Sequence, residues 1–447
     1  MIDWTGIRNR LDRLARRARP GTVLSVTAPL RGMPAALPTT DEWIFWQRPD
    51  EELRLLGIGA ALRVETGGPG RFAALNAAMR GFQQHWHIDA AGASPPLALA
   101  GFAFAPEGGD PLPNATLMVP AVLLREVADQ ADITFSCAVE DAANAVYRWQ
   151  TLLASLNARH EDAPPHLERA AMPLADLAFL ARGRAALAAI DAGRQAKLVL
   201  TRGVRLTAER TLRAAPTLAA LADQNPDCTV WAVAHSGKVF LGASPERLLT
   251  LREGRVEVDA LAGTAWTTGA DGEPASLSLA DDKNRREHEL VVGSVHEALA
   301  PLCETLSVPE EAEIMHLHQL SHLRRRIVGQ VRPGMGPFDL IARLHPTPAV
   351  GGVPTASALQ WLGAHNDRRG AWYTGGIGWI DAEGDADFVV ALRCGLLDGK
   401  EATLYAGAGF VAGSDPPQEL AETEAKLAPM LSALRATQAC RERGTGT

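Results

Sequence analysis

The sequence predicts an α+β protein, a single large domain whose core is an antiparallel β-sheet sandwich with peripheral helices. Apolar strand-like runs follow one another at hairpin spacing, as around Ser236-Gly237 and Glu253-Gly254. Segments with a helical period lie before, between and after groups of strands. Regular βαβ alternation, which a doubly wound parallel sheet needs, does not occur in the pattern.

The first half of the chain begins with an Arg-rich helix over residues 1–20, which carries Trp4, Ile7 and Leu11 on one side and is expected to dock on the surface. Strands are expected at residues 22–28, 42–47, 57–65, 97–104, 115–120 and 132–138, and helices at 70–85 and 142–158. The Pro-containing stretch 161–166 then predicts a short connection between two halves.

The second half starts with a helix at 177–192, ended by Gly193, that leads into the strand 197–201. Further strands are expected at 229–234, 238–242, 248–252, 255–261, 372–381, 388–394 and 402–410, and a His-rich strand or turn at 315–323. The remaining helices are expected from residue 282, near 337–344, shortly after the Pro/Gly loop 345–354, and at 417–436.

Composition excludes several classes of protein. The 447 residues are 47% hydrophobic and carry a formal net charge of -8 with basic residues spread along the chain, which argues against nucleic-acid binding by phosphate neutralisation. No membrane partner is expected, because no apolar run reaches membrane-spanning length and the N-terminus has no secretory pattern. Five scattered cysteines without CxxC spacing indicate reduced thiols in a cytoplasmic protein.

In the helix that begins at residue 282, one acidic residue lies on the apolar face. At 3.6 residues per turn Glu287 shares a face with Leu290 and Val291, whereas Glu289 turns away from that face. A carboxylate that faces a core must be paired, protonated or bound to a metal. We therefore expect a positive partner for Glu287 elsewhere in the chain.

The last helix offers more carboxylates at the edge of its apolar face. Glu419, Glu422 and Lys426 fall at i, i+3 and i+7 on one stripe. Oxygen ligands in low number suit Mg²⁺, which keeps waters and takes further oxygens from an anionic substrate. The alternative is that both glutamates are solvated and pair with Lys426.

Two residues have the setting of an acid and a base. Glu246 follows a rigid proline at a strand end, so it is a candidate general acid if burial raises its pKa; the alternative is a turn carboxylate bonded to Arg247 or to a backbone amide. Lys197 begins an apolar strand and either reaches the sheet end as a solvated cation or, if desolvated, takes a proton from water. Arg393 lies between apolar neighbours in a predicted strand and needs an anion, which a substrate carboxylate would supply.

Two other motifs are weaker signals. Gly407-Ala408-Gly409 does not have dinucleotide-binding spacing and indicates a close backbone approach to a ligand or a plain turn. His316, His318 and His322 form HxHxxxH, which leaves a zinc hydrolase open as an alternative function.

Taken together and in order, these pieces resemble the chorismate-utilising enzymes, most closely the isochorismate synthases. The matching stretches lie between residues 180 and 430; they are 197–202, 242–246, 261–265, 283–288, 322–323, 344–349, 373–378, 392–394, 406–409 and 419–426. Weaker likeness at 46–49 and 101–104 implies one chorismate-binding domain over 1–447, with a divergent half at 1–165 and a catalytic half at 175–435.

The resemblance implies roles for eleven residues. Mg²⁺ would be held by Glu287 and Glu422 with Glu419 in support, Lys197 would activate the water that attacks C2 of chorismate, and Glu246 would protonate the departing C4 hydroxyl. The substrate would be held by His322, Thr347, Tyr373, Arg393, Gly407 and Lys426.

The expected function is thus Mg²⁺-dependent isochorismate synthesis. Family members that aminate chorismate lack a lysine at position 197, so water is the expected nucleophile and no obligate glutaminase partner is expected. A salicylate synthase, which keeps the lysine and then eliminates pyruvate, is the nearest alternative. The product would feed menaquinone, siderophore or salicylate synthesis.

Overall fold

The structure is a computed structural model that describes residues 2–89, 94–157, 165–170, 173–266, 279, 281–317 and 320–436. Helices in the described residues are α1 Trp4–Ala15, α2 Arg71–Gln84, α3 Ala145–Ala154, α4 Pro173–Asp191, α5 Ala214–Gln224, α6 Asp282–Leu299, α7 Pro337–Leu344, α8 Thr355–Ala364 and α9 Pro416–Arg435. Short 3₁₀ turns lie at Pro49–Glu51 and Val139–Asp141.

The strands of the first half are β1 Val23–Leu30, β2 Leu37–Pro38, β3 Trp43–Arg48, β4 Leu53–Thr66, β5 Trp86–Asp89, β6 Leu97–Phe102, β7 Ala115–Val127, β8 Gln130–Ala138 and β9 Leu156–Asn157. Those of the second half are β10 Leu167–Arg169, β11 Lys197–Ala208, β12 Thr229–His235, β13 Lys238–Ser244, β14 Arg247–Arg252, β15 Arg255–Trp266, β16 Cys303–Ser307, β17 Glu313–His316, β18 Leu320–Val331, β19 Gly352–Val353, β20 Gly376–Asp381, β21 Ala386–Val390, β22 Cys394–Asp398 and β23 Glu401–Phe410.

The strands pair in an antiparallel manner throughout the described part of the chain, except for the parallel pair β1 and β5. Strands from the two halves of the sequence alternate in the sheets, because β3 pairs with β12 and β6 pairs with β20. The predicted fold class, one large α+β unit with an antiparallel core, is therefore confirmed.

The apolar core has three layers. The middle layer is made by strands and their connections and contains the fully buried rings of Trp46, Trp231 and Trp372. One outer layer holds side chains of α2, α4, α6 and α7, and the other holds side chains of α1, α3, α5 and α9. Strands that face each other across an inner apolar layer, with helices outside, form the predicted sandwich.

Both predicted hairpin turns are present. Ser236 and Gly237 have φ of 52° and 75°, and Glu253 and Gly254 have φ of 50° and 77°. Left-handed conformation at both central residues matches the right-handed twist of the flanking strands. The turns place β12 beside β13 and β14 beside β15.

One helix was not expected, and one expected strand is wrong. Helix α5 was not predicted, because its Ala-rich sequence shows only a narrow apolar stripe around Leu218 and Leu221. The run predicted as one strand over 388–394 is two strands, β21 and β22, separated by a break at Arg393, whose φ is 48°. A left-handed residue cannot continue an extended ladder.

No helix in the described ranges is both long enough and apolar enough to cross a membrane. Cys137, Cys228, Cys303 and Cys394 are buried free thiols, and burial raises the pKa of Cys137 and of Cys228 to about 12. Cys440 and most of the predicted connection at 161–166 lie outside the described residues.

Candidate active site

A cavity of about 70 Å³ opens between β11 and β23 on one side and helices α6 and α9 on the other. Nine of the eleven predicted site residues line it: Lys197, Glu246, Glu287, His322, Tyr373, Arg393, Gly407, Glu422 and Lys426. The other two stand behind its wall, Thr347 next to Glu246 and Glu419 one helical turn before Glu422. Residues that are up to 229 positions apart in the sequence thus converge in one place.

Lys197 and Glu287 form a buried ion pair in the cavity. Lys197 is the first residue of β11 and its side chain is 1% exposed, while Glu287 projects from the second turn of α6 and is 12% exposed. The Lys197 Nζ and Glu287 Oε1 atoms are 2.9 Å apart. Glu287 therefore has the positive partner that its inward position requires, whereas Glu289 is exposed and pairs with Arg325.

A glycine makes this ion pair possible. A Cβ atom at Gly409 would lie 2.5 Å from Glu287 Oε1 and 3.2 Å from Lys197 Cε. Any larger residue at this position of β23 would push the two charged groups apart. The alternative of a plain turn is wrong, because the Gly-Ala-Gly run lies within β23. The groups that approach Gly409 are side chains of this chain, and a close approach to a ligand stays a prediction.

Glu246 is buried and protonated at neutral pH. It follows β13, its side chain is enclosed, and Thr347 Oγ1 lies 3.5 Å from its Oε1. Burial raises the pKa of Glu246 to about 8, although the nearby Lys197 and Arg393 charges oppose the rise. The alternative of a turn carboxylate bonded to Arg247 is wrong, because Arg247 pairs with Glu257 and Glu51 while the Glu246 carboxyl group contacts Thr347.

Glu419 and Glu422 of α9 are each held by a lysine. Glu422 Oε1 lies 2.5 Å from Lys426 Nζ, and Glu419 Oε1 lies 2.7 Å from Lys283 Nζ. The alternative of solvated glutamates is thus half right: Glu422 does pair with Lys426, but Glu419 is 1% exposed. Burial and the neighbouring Glu422 charge raise the pKa of Glu419 to about 7. Burial also acts to raise the pKa of Glu422, but Lys426, Lys283 and Arg393 together lower it.

His322 and Arg393 form a second polar pair. Arg393 Nη2 lies 3.2 Å from His322 Nε2, and His322 Nδ1 lies 3.1 Å from the carbonyl oxygen of Gly263. A guanidinium group can only donate, so Nε2 accepts and Nδ1 carries the proton. Burial and the Arg393 charge lower the pKa of His322 to about 3, so the imidazole stays neutral.

The backbone conformation at Arg393 differs from the extended strand that the sequence predicted. The expected strand alternation does not apply, because Arg393 sits in the left-handed break between β21 and β22. Its side chain still enters the cavity among apolar neighbours, and burial lowers its pKa. The need for an anion at this guanidinium follows from the cavity and not from the strand pattern.

The rest of the cavity wall consists of aromatic side chains and backbone atoms. Tyr373 is buried and stacks on Tyr405, with ring centroids 5.3 Å apart, and burial raises the pKa of its hydroxyl. The Gly407 carbonyl accepts a hydrogen bond from Lys426 at 3.0 Å. These contacts form a flat, partly apolar wall with cations at its ends.

Sequence reasoning missed a buried clamp behind this wall. Arg369 donates to the carbonyl oxygens of Val350 and Val199 and to the Thr374 hydroxyl, and Asp367 lies 3.1 Å from its Nε. The clamp ties the strand that carries Lys197, the loop that carries Thr347 and the residue after Tyr373. Spacing offers no signal for such a role, since the bonded groups are mostly backbone atoms.

The zinc alternative is not supported by the histidines. His316 is exposed and contacts the Ser321 hydroxyl, His322 is occupied by Gly263 and Arg393, and His318 lies outside the described residues. In the described ranges, no three His, Cys, Asp or Glu side chains converge closely enough to hold a metal ion. Nothing therefore favours a zinc hydrolase.

Known proteins resemble the chain over most of its length. The family described as "Chorismate binding enzyme" matches residues 20–435. The isochorismate synthase MenF of Bacillus subtilis is 33% identical over 420 residues, which are 88% of each chain, and the salicylate biosynthesis isochorismate synthase of Pseudomonas aeruginosa is 33% identical over 416 residues, 88% of this chain and 85% of that one. The solved structure of MenF, the menaquinone-specific isochorismate synthase from Escherichia coli, matches with a TM-score of 0.78 and 26% identity, and covers 96% of this chain and 99% of that chain.

Proposed function

The chain belongs to the chorismate-binding enzymes, and on this premise we propose that it is an isochorismate synthase, an isomerase that adds water at C2 of chorismate and expels the C4 hydroxyl. The observation that carries the proposal is one cavity that holds an amine, a protonated carboxyl group and an anion-seeking guanidinium: Lys197, Glu246 and Arg393. Two relatives that match this chain over most of their length are named isochorismate synthase, which supports the proposal.

Glu246 is the proposed general acid. A hydroxide is a poor leaving group, so the C4 oxygen must receive a proton as its bond to carbon breaks. A carboxyl group with a pKa of about 8 carries that proton at neutral pH, which an ordinary glutamate would not. The contact from Thr347 fixes the direction of the carboxyl group.

Lys197 is the proposed base for the attacking water. Its side chain is enclosed, it lines the same cavity as Glu246, and its charge acts on the Glu246 carboxyl group. Lys197 is held as an ammonium group by its ion pair with Glu287, so it must first lose that proton to solvent before it can act as a base. The neutral amine then takes a proton from the attacking water as the C2–O bond forms, and the C4 hydroxyl leaves as water with the proton from Glu246.

The two substrate carboxylates need cations, and we propose that Arg393 and Lys426 supply them. Both line the cavity, and a guanidinium binds a carboxylate with two parallel hydrogen bonds. Tyr373 and the Gly407 backbone would complete this contact. Neutral His322, held by Arg393 and Gly263, would lie beside the ring without adding charge.

Glu287 and Glu422, with Glu419 in support, fit Mg²⁺ by their chemistry. They are buried carboxylates near enough to one another that both Glu422 and Glu287 raise the pKa of Glu419. In the described part of the chain a lysine neutralises each of these carboxylates, and three of them do not converge as a ready ligand set. They fit Mg²⁺ because this ion uses one or two protein carboxylates and completes its shell with waters and substrate oxygens. When bound, the ion would supply positive charge to a ring carboxylate of chorismate.

The test is one assay of purified protein with chorismate and Mg²⁺, with the products separated by chromatography. We expect isochorismate, no release of pyruvate, and loss of turnover when EDTA removes the metal. Release of pyruvate together with salicylate would replace the proposal by salicylate synthase, and unchanged chorismate would reject both.

The proposal extends to the setting of the enzyme. Scattered reduced thiols support a cytoplasmic location, and chorismate itself is the partner, without nucleic acid, membrane or glutaminase. The names of two relatives refer to menaquinone and to salicylate biosynthesis. We therefore propose that the product of this enzyme is a precursor of a quinone or of a siderophore-type aromatic acid.

A further inference from the structure

The positively charged side chain of Lys283 lies next to the carboxylates to which we assign Mg²⁺. It lies in the first turn of α6, and its Nζ donates to Glu419 Oε1 at 2.7 Å. The charges of Glu287 and Glu422 also act on this ammonium group. Lys283 thus faces all three carboxylates that we assign to Mg²⁺, although it does not line the cavity itself.

The three carboxylates and their three lysines form a balanced cluster. Glu287 pairs with Lys197, Glu422 with Lys426, and Glu419 with Lys283, at 2.9, 2.5 and 2.7 Å. Three negative and three positive charges leave the cluster neutral. A divalent cation that joined it unchanged would add two uncompensated positive charges in a buried place, which is costly. At least one ammonium group must therefore move away when the metal enters.

Of the three lysines, Lys283 can move at the lowest cost. Its side chain is 32% exposed, against 1% for Lys197 and 17% for Lys426. Lys426 is also held by the Gly407 carbonyl, and Lys197 is enclosed by the cavity wall. A half-exposed lysine on the first turn of a helix can turn its ammonium group into water by changing side-chain torsions alone.

We propose that Lys283 is a built-in counter-ion that neutralises Glu419 in the metal-free enzyme and withdraws when Mg²⁺ binds. The inference rests on the proposed Mg²⁺ site and adds a residue that competes with the metal. Its consequence is that the empty site stays stable, at the expense of weaker metal binding in the absence of substrate.

A permanent structural ion pair would behave differently. In that case Lys283 would keep its contact with Glu419 in the metal-bound enzyme, and its removal would lower stability with and without metal alike. Competition predicts that removal of Lys283 destabilises only the metal-free form and tightens metal binding, since the lysine stabilises only the metal-free form.

The test compares Lys283→Gln with Arg285→Gln. Arg285 lies on the same helix two residues later, is 64% exposed, and pairs with exposed Asp282, so its substitution removes the same charge without touching the cluster. Mg²⁺ binding is measured by titration calorimetry without chorismate, and thermal unfolding is measured in EDTA and in Mg²⁺. We expect Lys283→Gln to bind Mg²⁺ at least about tenfold more tightly than wild type, and Arg285→Gln to match wild type.

The unfolding temperature separates competition between Lys283 and Mg²⁺ from a permanent ion pair. In EDTA, Lys283→Gln should melt at a lower temperature than wild type because buried Glu419 loses its partner, and Mg²⁺ should abolish this difference. Equal or weaker Mg²⁺ binding by Lys283→Gln, or a loss of stability that Mg²⁺ does not restore, would overturn the counter-ion role while the metal site stands. Wild-type protein that binds no Mg²⁺ at millimolar concentration would overturn the metal assignment itself.

Discussion

Replacement of Glu246 by glutamine should give a protein that is more stable above neutral pH and nearly inactive. Between pH 4.5 and about 8 the folded protein keeps a proton on Glu246 that the unfolded chain has lost. The free energy of unfolding therefore falls as the pH rises through this range, because the folded state binds more protons. A pKa raised from 4.5 to about 8 corresponds to roughly 5 kcal/mol at 1.36 kcal/mol per pH unit.

Glutamine keeps the shape and the acceptor for Thr347 but has no proton to lose. Some of the gain is offset by the cost of burying an amide, so we expect Glu246→Gln to be more stable than wild type by about 2–4 kcal/mol at pH 8.5 and about equal to it at pH 4. Loss of a general acid lowers turnover by about 10²–10⁴-fold. Wild-type turnover itself should fall as the pH rises through about 8, where Glu246 gives up its proton.

The assay is urea unfolding at pH 4, 7 and 8.5, together with turnover of chorismate from pH 6 to 9. Glu313→Gln is the matched control, since Glu313 is 71% exposed and its substitution should change neither quantity by much. A Glu246→Gln protein that is less stable than wild type at pH 8.5, or that keeps more than about a tenth of its turnover, would refute the assignment of Glu246 as a buried acid.

Three further predictions address the same cavity. Lys197→Ala should abolish turnover and leave the circular dichroism spectrum unchanged, and substantial residual hydration of chorismate would remove Lys197 as the base. Glu287→Gln should lose both activity and the response of activity to Mg²⁺, so a normal Mg²⁺ titration would exclude it as a ligand. Gly409→Ala should cost about 100-fold in turnover, because its Cβ would displace both charged groups, whereas Gly293→Ala, on open helix surface, should raise stability by about 0.5–1 kcal/mol without loss of activity; equal kinetics in the two alanine variants would contradict the steric argument.

The elements were predictable where a local rule decides them. Two-residue turns with Gly, helical periods with clear caps and long apolar runs gave β12 to β15, α6, α7 and α9 within a few residues. Local rules fail at the break before β22, because its cause is the left-handed conformation of Arg393, which a non-Gly residue adopts only when the surroundings enforce it. They also fail for α5, whose composition supports several structures equally.

The sequence predicts which residues belong to the candidate site, but it does not predict which of them pair with one another. Helical periodicity shows that Glu287 points inward, and it cannot show that Lys197 receives it, because that pairing depends on how α6 packs against a sheet built from distant strands. Lys283 illustrates the limit. It lies in the motif that drew attention to Glu287, yet its role depends on Glu419, 136 residues away.

The register between β11 and β23 decides whether there is a site at all. Val199, which lines the cavity, faces Gly409, and Thr201 faces Gly407, so this stretch of β11 meets the two glycines of β23 that line the cavity. A slip by one residue would bring Ala408 and Phe410 to the cavity side and would turn Lys197 away from Glu287, since side chains alternate along a strand. The alternate residues Leu198, Leu200, Ala408 and Phe410 are buried in an outer core layer. The apolar face of β11 and β23 thus holds the register, and the register in turn brings the amine of Lys197, the carboxylate of Glu287 and the space left by Gly409 together.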